Sequence, residues 1–207
     1  MTIQISAFKW VPEMAHGYVK DLRLRWALGE AGLPFEVVLI DHGSGGEYLA
    51  WQPFGQVPAY RDGEVEMFET GAILLHLADR SVALAPTDPQ GWAQTASWVL
   101  AALNSIEVFA QACIHGDGGA HAQRMTEVLH QRLGQLSNAL GEKDWLVGRF
   151  SVADIAMVTV LRELVDNGVL AKYPRLDALR RRGEARAAFH TALADQLAVF
   201  ATHRPAD

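Results

Sequence analysis

Gln56-Val57-Pro58-Ala59-Tyr60, with Asp62-Gly63 just behind it and Glu69-Thr70 beyond, is the stretch on which the fold turns. Val57-Pro-Ala-Tyr60 and Val65-Glu-Met67 read as two short strands. Asp62-Gly63 between them is a strong hairpin signal, because glycine tolerates the positive φ of a tight turn. A Val-Pro bond at a strand entrance is a candidate cis peptide. It would leave the Val57 N–H and C=O at the sheet edge, where an extended peptide can pair with them as an added strand. Glu69-Thr70 stands at the start of the next helix. Exposed N–H groups and the helix dipole there favour a carboxylate, the Thr70 hydroxyl adds a donor, and Glu69 offers a partner for an ammonium. Such a set suits a small zwitterionic peptide; the same residue types also fit an edge proline and an ordinary helix N-cap.

Upstream, Ile3, Ile5 and Ala7 alternate with polar residues as in a half-buried strand. Val19, Leu22 and Trp26 recur at helical spacing up to Ala31, where Gly32 supplies a stop. Phe35-Glu-Val-Val-Leu-Ile40 is a second strand, Tyr48 to Trp51 a short helical segment, and Ile73, Leu74 and Leu77 mark a helix running to Arg80. The order β-α-β-(α)-β-β-α makes the first two strands parallel and the last two antiparallel: an α/β unit with a mixed four-stranded sheet.

After Pro86-Thr-Asp-Pro89 the texture becomes all-α. Trp92, Ala96, Val99, Leu103, Ile106 and Ala110 form one long helical stripe, and Ala122 to Leu140 repeats the pattern after a glycine break. Val152 to Val165 is apolar nearly all round, as in a helix buried inside a bundle, and shorter helices follow Pro174 and Glu184. Ser151-Val-Ala-Asp154 at the start of the buried helix is a capping-box pattern with Phe150 and Ile155 as its staple. The expected domains are residues 1–82, a linker at 83–90, and an all-helical bundle at 91–207.

The net charge of −6, with no concentrated basic face, excludes a nucleic-acid partner. One cysteine, Cys113, excludes a disulfide framework, a Cys-based zinc site and a CxxC pair within the chain. His115 and His121 flank a Gly-rich loop without carboxylate or thiolate support, so no metal site is expected. The longest uninterrupted apolar run is about six residues, Trp98 to Leu103, and the N-terminus has no apolar signal core. The expectation is a cytoplasmic protein with no membrane partner.

Pro53-Phe-Gly-Gln-Val-Pro-Ala-Tyr60, the Asp62-Gly63 turn and Glu69-Thr70-Gly-Ala-Ile-Leu-Leu-His-Leu77 resemble the glutathione-binding segment of the soluble glutathione transferases. Trp145-Leu-Val-Gly148 and the Ser151–Asp154 box resemble the start of that family's central buried helix. The resemblance, to a bacterial-type member of unassigned class, implies a thioredoxin-like N-terminal domain followed by a helical bundle. It implies glutathione as co-substrate, conjugated to a small hydrophobic electrophile in a detoxification role, and a homodimer. Family roles then fall on Val57 before cis-Pro58 for the cysteinyl part, on Glu69 and Thr70 for the γ-glutamyl group, and on Gln56 for the glycyl end. A non-catalytic glutathione- or partner-binding protein on the same fold is the alternative.

The family's activating Ser or Cys is missing. Phe8-Lys-Trp-Val-Pro-Glu-Met-Ala-His-Gly-Tyr-Val-Lys20 stands in its place, and aligning Arg23-Leu-Arg-Trp-Ala-Leu28 with the family's first helix puts Tyr18 near the usual serine. A Tyr hydroxyl that donates to a thiolate lowers the thiol's pKa. Tyr18 is therefore one candidate activator and His16 the other. A packing tyrosine, an exposed loop histidine and activation by N–H groups at the helix start are the competing readings.

Overall fold

The computed structural model describes residues 2–205. Strand β1 (Ile3–Phe8) is the pivot of a four-stranded sheet ordered β2-β1-β3-β4, with β2 at Phe35–Ile40, β3 at Ala59–Arg61 and β4 at Glu66–Phe68. β1 pairs parallel with β2, in register Ile3↔Phe35 to Phe8↔Ile40. It pairs antiparallel with β3, and β3 antiparallel with β4, as the hairpin signal required. The hairpin is closed by Asp62, whose Oδ1 accepts from the N–H groups of Glu64 and Val65 at 3.1 and 3.0 Å, while Gly63 takes φ +91°. Burial pushes the Asp62 carboxyl up. Those two N–H groups, the Tyr60 hydroxyl and Arg80 outweigh burial and hold it below the usual carboxylate range.

Helix α1 (Asp21–Ala31) ends at Gly32 with φ +64°, the left-handed cap that only glycine adopts freely. Helices α2 (Glu47–Trp51) and α3 (Thr70–Arg80) complete this part of the chain. Every residue of α1 from Asp21 to Leu28 is buried. The covering element is the last helix, α9 (Ala187–Thr202), whose Phe189, Ala192, Gln196 and Phe200 are buried. At Gly29 a β-carbon would lie 3.4 Å from the Ala188 Cβ, so the absent side chain permits the close approach. Two compact units result: one is the chain up to Ser81 together with the chain from Arg186 on, the other is Val82–Ala185. The sequence reading kept 91–207 together as one helical domain. Within that stretch, the apolar face of α9 meets α1, far away in sequence.

The second unit is helical. Asp88 caps α4 (Pro89–Ala101) by accepting from Gly91 N at 2.8 Å, with Pro89 at the first helical position. A π-helical segment, Ala102–Glu107, joins α4 to α5 (Val108–His115) where the sequence predicts one regular helix. Its wider turn shifts the inward phase, so neighbours Ile106 and Glu107 are both buried. By length and composition the run Pro89–His115, which holds an 18-residue window of mean hydropathy 1.4, is long and apolar enough to cross a membrane, which counting uninterrupted apolar residues had missed. Here α4 packs on α7 (Val152–Arg162) and α5 on α6 (Ala120–Leu140). Helix α7 is buried from Val152 to Leu161 and starts at the capping box: Ser151 Oγ accepts from Ala153 N, and Asp154 Oδ2 accepts from Ser151 N at 3.0 Å. Asp154 Oδ1 also accepts from Leu146 N at 2.9 Å, tying the preceding loop to the helix start. α8 (Pro174–Glu184) completes the unit.

Candidate functional site

Strand register decides which segments meet. Ile5 lies opposite Tyr60, so the C-terminal end of β1 meets the start of β3. Ala59 lies opposite Phe68, so the residue before β3's first pair, Pro58, stands next to Glu69. The chain leaving β1 toward His16 and Tyr18, the Val57-Pro58 bend and the Glu69-Thr70 helix start therefore share one end of the sheet. Of the candidate residues, the five cradle positions are brought together by pairing alone, and His16 and Tyr18 lie on the segment that departs from the same end.

The Val57-Pro58 peptide is cis. Val57 is buried, and the β3 ladder begins only at Ala59, so the Val57 N–H and C=O fall outside the strand pairing. Gln56 is exposed beside it. The bend is held by residues that the sequence reading missed. The Ala59 N–H donates to Ser6 Oγ at 2.7 Å, Ser6 Oγ lies 2.8 Å from the Tyr48 hydroxyl, and that hydroxyl donates to the Gln56 carbonyl. A carbonyl can only accept, so the Tyr48 proton points to Gln56 and the Ser6 proton must point to Tyr48. One directed chain of hydroxyls thus grips the main chain on both sides of Val57-Pro58. Burial raises the Tyr48 pKa above its ordinary value, against the Ser6 hydrogen bond, so the hydroxyl keeps its proton. Gln52, also buried, accepts from Phe54 N at 2.6 Å and Gln56 N at 3.3 Å through its side-chain oxygen. No local sequence signal marks Ser6, which is 42 residues from Tyr48 and 53 from Ala59.

Glu69 is exposed and has φ +70° and ψ 115°, and among the described residues it is the one non-glycine with positive φ. A side chain held there costs on the order of 1–3 kcal/mol, which marks the position as constrained by more than local preference. Its side chain caps nothing; it projects from the N-terminus of α3 while its carbonyl accepts from Ile73 N at 3.0 Å. Thr70 follows, 6% exposed, at the first helical position. The N–H groups of that first turn have no partner within the helix, which is the local condition for holding an anion at a helix start.

His16 and Tyr18 are both half-buried, around a 3₁₀ turn at Glu13–Ala15. His16 Nε2 lies 3.0 Å from the Val11 carbonyl, and its ring stacks on Phe200 with centroids 5.0 Å apart. Because the carbonyl accepts, Nε2 carries the proton, and in the neutral ring Nδ1 is left as an acceptor. With Nε2 held on Val11, Nδ1 is the ring nitrogen left to meet a ligand. Among the described residues no three His, Cys, Asp or Glu side chains form a metal-ligand group.

Residues 15–79 match the glutathione S-transferase N-terminal domain and residues 106–195 the glutathione S-transferase C-terminal domain. A glutathione S-transferase from Silene vulgaris is 53% identical over 60 residues, 27% of this chain and 28% of that one. The disulfide-bond oxidoreductase YfcG of Escherichia coli (strain K12) is 30% identical over 188 residues, covering 80% of this chain and 86% of its own. A glutathione transferase structure from Burkholderia graminis superposes with a TM-score of 0.80 at 24% identity, over 93% of this chain and 87% of that one. The chain spans between 26% and 59% of the plant transferases it matches. On these matches to both halves, the chain belongs to the soluble glutathione transferase family.

Proposed function

We propose that the protein binds glutathione at this end of the sheet, stabilises its thiolate and transfers it to a small apolar electrophile. The Val57 N–H and C=O pair with the cysteinyl part, Gln56 reaches the glycyl end, and Glu69 with Thr70 and the first turn of α3 take the γ-glutamyl ammonium and carboxylate. Tyr18 donates to the thiolate; His16, with Nδ1 as acceptor, is the second candidate and would receive the thiol proton. Holding thiolate and electrophile together supplies proximity, and a lowered thiol pKa raises the fraction of nucleophile at neutral pH.

The observation that carries this reading is the strained Glu69 at a helix N-terminus, set by register beside the cis-Pro58 bend. The Burkholderia graminis structure, with two glutathione molecules bound per subunit, lends support. Exposed Trp92, Leu100 and Val108 along the α4–α5 run support a homodimer that covers them, and the protein would work in the cytoplasm, in detoxification. Calorimetry with glutathione and turnover of an aryl halide test the reading together. Micromolar-to-millimolar binding with turnover is expected, and no binding overturns it.

A second reading is favoured by the oxidoreductase relative. The lack of cysteine before Cys113 rules out a mixed disulfide on the first half of the chain, yet a bound glutathione thiolate needs none. It can attack one sulfur of a substrate disulfide, breaking the S–S bond, forming a mixed disulfide with glutathione and expelling the other thiolate, which solvent protonates. A second glutathione then releases the remaining thiol as oxidised glutathione forms. Faster turnover of a disulfide than of the aryl halide would select this reaction.

A further inference from the structure

Helix α9 runs antiparallel to α1 and then on past its start. Arg186 forks onto Glu30 at 2.5 and 2.7 Å, and Phe189 meets Trp26 edge-on at 5.0 Å, both along α1 itself. The next contacts follow at four-residue steps. Gln196 Nε2 donates to Val19 O at 3.1 Å and to Asp21 Oδ1 at 2.6 Å, Phe200 stacks on His16, and Arg204 pairs with Glu13 at 3.4 Å. One side of the helix, with Arg204 two residues past its end, therefore tracks the segment Glu13–Asp21 in reverse order.

We infer that α9 is a splint for this segment and that Gln196 is a positioning residue for thiol activation, an inference that rests on the assignment of activation to Tyr18 or His16. Gln196 is fully buried in the middle of a face otherwise made of Phe189, Ala192 and Phe200. Both partners of its amide nitrogen are acceptors, which fixes the orientation of the amide. Its Oε1 has no hydrogen-bond partner, nor has Arg25 Nη2, so this polar group sits in an apolar face at a cost that leucine would not incur. What the nitrogen holds is the carbonyl directly after Tyr18 and the first side chain of α1. The segment itself has no strand ladder or α-helical turn. Main-chain bonds from Ala15 N to Pro12 O, His16 N to Glu13 O and Tyr18 N to Ala15 O each run three residues back. The contacts with α9 add fixed points at His16 itself, through Phe200, and at Val19 directly after Tyr18, through Gln196, and misplacement by about 1 Å is enough to cost on the order of 100-fold in rate.

The test is Gln196→Met, which keeps the length and removes the donor, with Phe200→Leu and Arg204→Ala as independent cuts at the same splint should the first fail to fold. Thr202→Val, on the exposed side of α9, is the control. Two readouts are taken on each: amide hydrogen exchange by residue, and the pH titration of bound glutathione thiolate alongside turnover. The splint predicts faster exchange in 13–23 with 57–80 unchanged. It also predicts turnover lowered about 10- to 100-fold with a raised thiol pKa, and glutathione affinity within about twofold of the parent. Unchanged exchange in 13–23 overturns the splint. Faster exchange with unaltered turnover and thiol pKa overturns the positioning role. If the parent neither turns over nor lowers the thiol pKa, the activation reading falls and takes the positioning role with it; the exchange data still decide the splint.

Discussion

Replacing Tyr48 by Phe removes one oxygen that serves two bonds: it donates to the Gln56 carbonyl and accepts from Ser6. The ring itself still packs with Ile40, Trp51, Val57 and Ala59, so the loss is confined to the hydroxyl chain. The buried Ser6 hydroxyl proton and the part-buried Gln56 carbonyl are left without this partner, at about 1–3 kcal/mol of stability. The bend that presents Val57 then keeps Ala59 N on Ser6 and, on the Gln56 side, only the longer 3.3 Å bond from Gln56 N to Gln52 Oε1. If reordering it on binding costs about 1.4 kcal/mol, glutathione affinity falls about tenfold. The assay is calorimetric titration with glutathione beside a denaturant melt, for Tyr48→Phe, Ser6→Ala and the double variant. Because the bonds form one chain, the double variant should fall short of the summed losses by about 0.5–3 kcal/mol. Both effects should be independent of pH up to the ordinary tyrosine range, since burial keeps the hydroxyl protonated. A Tyr48→Phe protein that melts and binds like the parent, or strictly additive losses, would refute the claim that a hydroxyl chain holds the cradle.

Glu69→Gly should relieve the positive φ and raise stability by about 1 kcal/mol while weakening glutathione binding by about 1.5–3 kcal/mol, and melts and calorimetry on the same sample read both signs. Tyr18→Phe should lower turnover about 10- to 1000-fold and raise the bound thiol's pKa with little change in affinity; a shift in His16→Ala alone would move the role to His16. Burial lifts the Asp154 carboxyl to about 6, against hydrogen bonds from Leu146 and Ser151. The folded state then keeps a proton that the unfolded chain gives up near its ordinary value of 3.8. The associated stability is complete below about pH 4 and is lost as pH rises through about 6, up to about 3 kcal/mol. Denaturant melts at several pH values should show this slope in the parent and not in Asp154→Asn; equal slopes would count against it.

What could be read from the sequence was local. Phe35–Ile40 was bounded to the residue, since its apolar run carries its own limits, and the Asp62-Gly63 hairpin and the Ser151–Asp154 box each close within a few residues. The cradle from Gln56 to Thr70 was legible for the same reason, as one hairpin brings its ends together. The remainder depends on partners distant in the chain. Ser6 looks like any solvent-facing strand residue until Tyr48 and Ala59 are folded onto it. Asp21, Arg23 and Arg25 look like the wet side of an amphipathic helix until the fold buries them, with Gln196 of α9 on Asp21. The π segment left no trace because its spacing of 4, 3, 4, 3 is that of an α-helix too.

That α9 completes a unit begun some 150 residues earlier has a consequence for synthesis, since Glu30 and Arg186 stand 156 positions apart. On the ribosome, the sheet and α1 emerge long before their cover. During that interval the side of α1 that meets α9, with the edge of Trp26 and the gap at Gly29, is wet, and Asp21 lacks its Gln196 donor. The helical stretch Val82–Ala185 is complete in the chain before the first unit can close. The nascent protein thus keeps the Trp26 edge in water for most of its translation, apolar surface of the kind that chaperones shield. A rearranged gene in which the coding sequence for 186–205 is placed directly before that for residue 2 would shorten the exposure. Its product should aggregate less at equal expression.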